Sequence, residues 1–325
     1  IIITIFFRTA RIADRTRANA AAEPDVRTAA RAAESLSAML RFRTVRGARG
    51  SFDAFKKICD YLRSRYRETF ETLRVEEIDG NLLLRWRGTD EDTDPILFCA
   101  NTDVISAEGT WEYAPFSGTV AEEMIWGRGA VESKGVLCAL MEAVEQLVSV
   151  GFMPRRDIYI SIVNDAESEN SGAREIADLF RKRGLRFAAV FAKGSCISRD
   201  LLPLRKPQAI IGVAEKGHIR IRLSAADNGG RIGTPPRYTA IGRLCEAVCR
   251  VEFRPRPVRK STVMRDMIAC FAPSLPFGKR ILAANLWLFE GRFYRSMKSY
   301  PVFSSMLRTT LAATETKNLM KLSIL

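Results

Sequence analysis

Four carboxylates occupy segments that follow strand-like stretches of the sequence, and their type and spacing could support metal chemistry. Carboxylate oxygens are the ligands that hard cations such as Mg²⁺ and Ca²⁺ prefer. Acidic residues in such segments also cap helices and pair with neighbouring cations, here Arg128 or Lys134. The sequence favours this second interpretation, and a cation-binding pocket is the alternative hypothesis. The four carboxylates are Asp103, Glu132, Asp165 and Glu167.

The histidine and cysteine content restricts the kinds of metal site that the chain can build. The 325 residues include one histidine, His218, so a zinc site with two or three imidazoles is excluded. Seven cysteines contain no C-x-x-C pair, and Cys245 and Cys249 share one face of a predicted helix. This pattern indicates buried thiols in a reducing compartment, and a secreted protein with one free thiol is the alternative interpretation. We therefore assign no compartment.

The basic charge of the chain does not indicate a specific nucleic-acid partner. Lysine and arginine number 51 against 37 acidic residues, which gives a net charge of +14. This excess is spread along the sequence, and no RNP-like, helix-turn-helix or zinc-finger pattern accompanies it. Hydrophobic residues make up 47% and charged residues 27%, which excludes disorder, collagen and coiled coil.

Alternating helical and strand-like segments predict the elements that must position the carboxylates. The alternation is typical of an α/β fold with a largely parallel sheet, whose chemistry lies in loops at the carboxyl ends of strands. We expect helices over Asp25–Phe42, after an N-cap at Ser51, after Gly135 and over Gly172–Arg183. We expect strands over Val75–Ile78, Asn81–Arg87, Ile96–Cys99, Asp157–Val163 and Ala188–Phe191. Strands over Gln208–Ala214 and Gly217–Ser224 and a helix over Thr239–Val251 predict a smaller α+β domain.

Several stretches in a fixed order resemble the zinc-dependent aminoacylase/carboxypeptidase family, most of all its carboxypeptidase S and N-acyl-amino-acid hydrolase branch. They cover nearly the whole chain, so the resemblance does not depend on one short motif. The stretches are Ile96–Val104 (ILFCANTDV), Trp111–Gly118 (WEYAPFSG), Trp126–Gly135 (WGRGAVESKG), Gly151–Tyr159 (GFMPRRDIY), Gly212–Gly217 (GVAEKG), Gly229–Pro236 (GGRIGTPP), Thr239–Leu244 (TAIGRL) and RTT from Arg308.

The resemblance implies a fold and a domain division. The fold is α/β, with a phosphorylase/hydrolase-like three-layer αβα catalytic domain and an inserted ferredoxin-like α+β dimerisation (lid) domain. We expect a basic and apolar extension over 1–24, the first part of the catalytic domain over 25–207, and the lid domain with a helical insertion over 208–325. The return to the catalytic domain would lie beyond Leu325, so we expect a truncated member. The lid domain implies a homodimer.

The family's chemistry uses two zinc ions about 3.5–4 Å apart, with a glutamate as general base. They activate a water that cleaves small peptides or N-acyl amino acids. Position by position, the first histidine ligand of the H-x-D motif corresponds to Asn101, and the orienting aspartate of that motif is kept as Asp103. The bridging aspartate corresponds to Glu132.

The remaining positions depart further from the family's pattern. In its D-E-E motif the general base corresponds to Ala166, and the ligand that follows is kept as Glu167. The later aspartate ligand corresponds to Ala192, beside Lys193, and the lid histidine to Arg231. A last histidine ligand has no counterpart. We expect zinc to be absent or weakly bound.

Three hypotheses follow from these departures. The first is a non-catalytic homologue or fragment of a zinc-dependent peptidase or amidohydrolase. The second is an active hydrolase of the same class with an atypical metal site. The third is a basic binding module for an acidic partner, for which Arg231 offers a guanidinium.

The apolar run Ile1–Phe7 (IIITIFF) is closed by Arg8 and followed by further arginines. Seven residues cannot span a bilayer, which needs about 20. The run is either the tail of a signal-anchor, with membrane anchoring by the N-terminus, or a frayed or packed helix.

Overall fold

Helices and strands alternate along the chain in the computed structural model, which describes residues 2–12, 26–48, 50–168, 170–194, 197–198, 208–214, 216–217, 219–226, 237–254, 256–259 and 262–315. The helices are α1 (Ile2–Ala10), α2 (Val26–Leu40), α3 (Ser51–Arg65), α4 (Arg67–Thr72), α5 (Lys134–Ser149), α6 (Ser171–Lys182), α7 (Ala240–Phe253), α8 (Thr262–Phe271), α9 (Phe277–Ala284), α10 (Leu286–Met297) and α11 (Pro301–Leu307), with a 3₁₀ turn at Ala272–Ser274. The strands are β1 (Arg74–Ile78), β2 (Asn81–Trp86), β3 (Ile96–Asn101), β4 (Thr119–Ala121), β5 (Met124–Trp126), β6 (Ile158–Val163), β7 (Ala189–Phe191), β8 (Ile197–Ser198) and β9 (Gln208–Ala209).

Five strands form a central sheet in the spatial order β1-β2-β6-β3-β7. β3 pairs in parallel with both β6 and β7, whereas β2 pairs antiparallel with β1 and β6. The largely parallel sheet that the sequence predicts is therefore a mixed one. Its antiparallel half begins with the β1–β2 hairpin, in which Asp79 and Gly80 both adopt positive φ, as a tight hairpin turn requires.

Side chains alternate between the two faces of the sheet along each strand. An apolar cluster buries each of these faces. Leu82 and Leu84 of β2 pack with α2, α3 and α5 in one apolar cluster, and Leu83 packs in a second cluster on the opposite face. That second cluster includes Ile176 and Phe180 of α6. The observed fold is thus a mixed α/β arrangement with helices on both sides of the sheet.

Predicted element positions agree with the structure through α6, with one local correction. Ser51 is the first residue of α3 rather than its N-cap, because Gly50 precedes it in the left-handed conformation. The strand predictions beyond 207 are wrong for the residues described there. In that region Gln208–Ala209 pairs with Ile197–Ser198, and the described residues from 210 to 226 form no further strand.

The chain divides into two compact units, one of residues 20–194 and one that combines residues 1–19 with 195–325. The first unit contains the central sheet. The second contains an apolar cluster built on α8–α11, with Met264, Ile268 and Phe293 in its core. The predicted lid domain and homodimer stay predictions. No helix among the described residues is long and apolar enough to cross a membrane.

Leu137 tests how far α5 stabilises the sheet. Its side chain is fully buried in the cluster with β2, β3 and β6. We expect Leu137→Ala to lower the free energy of unfolding by about 2–5 kcal/mol, because the lost contacts leave a cavity. Urea denaturation followed by circular dichroism measures this change. The control Leu147→Ala, on the half-exposed side of the same helix, should cost clearly less, and equal losses would contradict the assigned packing.

Candidate functional site

The parallel pairing of β3 with β6 brings two of the motif segments together. Asn101 at the end of β3 lies opposite Val163 at the end of β6. The Thr102 amide donates to the Val163 carbonyl at 2.9 Å, just past the last residue of β3. The segments 101–104 and 164–168 therefore leave the sheet side by side, at the carboxyl ends of parallel strands.

Asp103 is the buried centre of this junction, with 1% of its surface exposed. Its Oδ1 accepts from Asn101 Nδ2 at 2.9 Å, and its Oδ2 accepts from the Glu167 amide at 2.7 Å. Asn101 Nδ2 also donates to the Asp103 carbonyl at 3.0 Å. Each carboxylate oxygen of Asp103 thus has an internal donor, which compensates its burial.

The carboxylate of Glu167 forms an ion pair with Lys193, and about a quarter of each side chain is exposed. Lys193 follows β7, the edge strand that pairs with β3. An ammonium therefore neutralises the one acidic position that the sequence predicts as an unchanged metal ligand. A metal ion at Glu167 would have to displace this cation or lie beside a like charge.

Asp165, in the second of the two segments, caps α6. Its Oδ2 accepts from the Ser171 amide at 2.7 Å and its Oδ1 from the Gly172 amide at 3.2 Å, and the Ser171 hydroxyl also donates to it. Burial raises the pKa of Asp165, but the hydrogen bonds from Ser171 and Gly172 outweigh it and hold the pKa below its ordinary value. The predicted capping role is correct for this residue.

Ala166 and Ala192 bring no polar side chain to the site. Ala166 packs against the apolar cluster of Ile176 and Phe180, and Ala192 is exposed after β7. A methyl group neither accepts a proton nor binds a metal ion. Arg231, the third altered position of this kind, lies outside the described residues.

Glu132 and Glu167 line one cavity of about 240 Å³ beside the β3–β6 junction. Arg128 lines it as well, and its guanidinium lies 4.8 Å from the ring centre of Trp111. The Nε of Arg128 is buried and has no hydrogen-bond partner. The cavity thus combines two carboxylates with a guanidinium that retains an unused donor.

Lys134 is the first residue of α5 and is fully buried. Its Nζ donates to the Phe42 carbonyl at 2.5 Å, and burial lowers its pKa to about 7. The predicted pairing of the site carboxylates with Arg128 or Lys134 is therefore wrong for the contacts that the structure describes. Helical periodicity could have shown the burial, because Lys134 shares a stripe with Leu137, Cys138 and Met141.

Comparison with known proteins places this site in a family. The sequence profile of Peptidase family M20/M25/M40 matches residues 97–266. The chain belongs to this family. The human N-fatty-acyl-amino acid synthase/hydrolase PM20D1 is 36% identical over 243 residues, which cover 74% of this chain and 48% of that protein. Its match confirms the resemblance that the motifs predict.

Two carboxypeptidase sequences and one solved structure are also similar to this chain. Probable carboxypeptidase S-like 2 of Dictyostelium discoideum is 34% identical over 87% of this chain and 56% of that protein. Carboxypeptidase S of Saccharomyces cerevisiae is 30% identical over a match that covers 62% of this chain and 36% of that protein. The chain spans about half the length of the curated relatives it matches. Human carnosine dipeptidase 1 superposes with a TM-score of 0.46 at 17% identity, over 60% of this chain and 42% of that one.

The donor set of this M20 site does not fit the two zinc ions of the family's chemistry. The described residues contain no group of three or more His, Cys, Asp or Glu side chains that could hold a metal ion. Asn101 donates its Nδ2 to Asp103. Its only remaining group for a metal ion is the amide oxygen, whereas the family has an imidazole nitrogen at this position. Glu132 and Glu167 share the cavity, but Lys193 holds the second of them. No step of a zinc mechanism can be derived from these side chains.

Replacing Asp165 tests its role as the cap of α6, in the loop that also contains Glu167. We expect Asp165→Ala to lower the free energy of unfolding at neutral pH by about 1–2 kcal/mol, because the first amides of α6 lose their acceptor. The pKa of Asp165 is lowered in the folded state, so this contribution exists above the ordinary pKa of about 3.9 and disappears as the pH falls through the folded pKa.

Urea denaturation of wild type and variant at several pH values measures the difference. Asp178→Ala, at an exposed position of the same helix, is the matched control and should change stability little. A cost for Asp165→Ala that persists in acid, or one equalled by Asp178→Ala, would contradict the capping role.

Proposed function

We propose that this chain is a non-catalytic M20 homologue that binds N-acyl amino acids or small peptides without two-zinc hydrolysis. The observation that carries the proposal is the Lys193–Glu167 ion pair. In this pair the ammonium of Lys193 binds the carboxylate of Glu167, the acidic ligand position that the chain shares with the family. The names of the relatives, N-fatty-acyl-amino acid synthase/hydrolase and carboxypeptidase S, support this ligand class.

The absence of a general base at the family's position supports the non-catalytic assignment. A glutamate there would take the proton of the attacking water, a contribution of about 10²–10⁴ in rate. Ala166 offers a methyl group that packs into the apolar cluster instead. Restoring metal binding alone would therefore leave the chain without its proton acceptor.

Arg128 supports the retention of ligand binding. N-acyl amino acids and peptides carry a free carboxylate, and a guanidinium is the cationic group best suited to a planar carboxylate. The guanidinium of Arg128 lines the cavity, and its central carbon lies 4.8 Å from the ring centre of Trp111. A ligand carboxylate in the cavity would pair with this guanidinium.

Metal content and turnover together test the non-catalytic assignment. We expect plasma mass spectrometry to find much less than about two zinc ions per chain, and no hydrolysis of N-acyl amino acids or dipeptides. Zinc near that value with turnover abolished by a chelator would overturn the proposal in favour of an active hydrolase with an atypical metal site.

A rebuilt site sharpens this test. Asn101→His, Ala192→Asp and Lys193→Ala together should raise zinc affinity by about 10–100-fold, because two ligands are restored and the competing ammonium is removed. Turnover should stay absent while residue 166 is alanine. Lys182→Ala, which removes an exposed lysine of α6, is the control. Unchanged zinc affinity in the rebuilt chain would contradict the role given to Lys193.

Ligand binding is tested by calorimetry with an N-acyl amino acid and its amide, which lacks the carboxylate. We expect Arg128→Gln to weaken binding of the acid by about 10–100-fold, the value of a hydrogen bond to a charged group, and to leave the amide unaffected. Arg155→Gln removes an exposed arginine that pairs with Asp90 and is the control. Retention on heparin without binding of the acid would favour the basic binding module instead.

A further inference from the structure

The first helix exposes its apolar side chains instead of burying them. Ile3 is 85% exposed and Phe7 is 54% exposed, and Ile2 and Phe6 are exposed as well. Residues three and four apart share a helix face, so Ile3 and Phe7 lie one above the other, as do Ile2 and Phe6. Contiguous exposed apolar side chains of this size mark an interaction surface.

A buried polar contact fixes this helix on its own unit. Asn285, between α9 and α10, is fully buried, and its Nδ2 donates to Thr9 Oγ1 at 3.2 Å. Ile12 packs on the apolar cluster of the same unit. Thr9 near the end of α1 and Ile12 just beyond it therefore face the bundle, whereas Ile2, Ile3, Phe6 and Phe7 are exposed.

Phe277, the first residue of α9, extends the exposed surface. Its ring centre lies 6.2 Å from that of Phe6, and its side chain is more than half exposed. The α1 patch, as we call this surface, consists of Ile2, Ile3, Phe6, Phe7 and Phe277. Its members lie within the unit formed by 1–19 and 195–325.

The charges around the α1 patch are basic. Arg11 stacks on Phe7 with its guanidinium carbon 4.2 Å from the ring centre, and Arg8 follows Phe7. The sequence contains no acidic residue from 1 to 12 or from 267 to 289. An apolar surface bordered by cations is complementary to the anionic headgroups and acyl chains of a bilayer.

We propose that the α1 patch docks on the surface of an anionic lipid bilayer, with α1 in the plane of the interface. The nine residues of α1 measure about 14 Å along the helix axis, and their exposed apolar side chains would enter the headgroup boundary of the bilayer. A second copy of the chain is a poorer occupant. A two-fold contact would bring the basic residues around one patch against the same basic residues of the other copy, without an acidic partner.

Co-sedimentation of the full chain with vesicles tests this proposal. Vesicles of phosphatidylcholine with phosphatidylserine are compared with vesicles of phosphatidylcholine alone, at low and at physiological salt. We expect binding to the anionic vesicles that weakens as the salt concentration rises. We expect Ile3→Ser with Phe7→Ser to reduce the partition coefficient at least about tenfold, because two large apolar side chains no longer enter the bilayer.

The basic border and a matched apolar position provide separate variants. Arg8→Gln and Arg11→Gln should each weaken binding to anionic vesicles by about fivefold, the value of one basic residue at a lipid surface. Phe52→Ser removes a phenylalanine on α3 that is 85% exposed and should leave binding unchanged. Circular dichroism confirms that every variant is folded.

Three outcomes would overturn the proposal. They are no sedimentation with anionic vesicles, equal binding to neutral vesicles, and equal losses for Phe52→Ser and the α1 variants. A concentration-dependent dimer that the α1 variants abolish, without vesicle binding, would assign the patch to self-association instead. None of these outcomes depends on the zinc content or on the ligand of the cavity.

Discussion

The parallel pairing of β3 with β6 is the constraint on which the candidate site depends. These two central strands are covered by helices on both faces, so their register is set by apolar side chains on each side of the sheet. A slip of one residue would place Leu97 where Phe98 packs and would separate Asn101 from Val163. The Asp103–Glu167 hydrogen bond exists because this register brings the ends of both strands to the same level.

Three of the four site carboxylates are satisfied by donors from the protein itself. Asp103 has Asn101 and a backbone amide, Asp165 has the first amides of α6, and Glu167 has Lys193. A metal site normally leaves its carboxylates for the ion, whose charge compensates their burial. In this chain internal hydrogen bonds and one ammonium provide that compensation. The loops of an M20 site can therefore keep their positions without zinc as the organising charge.

The two compact units differ in how completely they bury their apolar side chains. In the unit of residues 20–194, the sheet gives α2–α6 a continuous apolar surface to cover. In the other unit, α7 has no buried residue and α1 exposes most of its apolar side chains. Marginal burial of this kind is typical of surfaces that contact another molecule. Exposure, more than overall basic charge, thus distinguishes the α1 patch.

The sequence by itself determined the family and most of the elements from α2 to β7. Apolar residues at helical spacing predicted α5, the turn at Asp79-Gly80 marked the start of β2, and the motif order predicted the M20 assignment that the profile match confirms. These patterns are local or consecutive, so they can be read without a fold. The burial of Lys134 was not predicted, although its place on the apolar stripe of α5 would have allowed it.

Only the tertiary structure decided which side chains meet. Lys193 and Glu167 are 26 residues apart, and they pair because β7 lies beside β3, an order that no local pattern encodes. The stacking of Arg128 on Trp111 likewise depends on how two loops approach each other. Charged side chains are long and have several partners within reach, so their pairing follows from the packed backbone rather than from residue type.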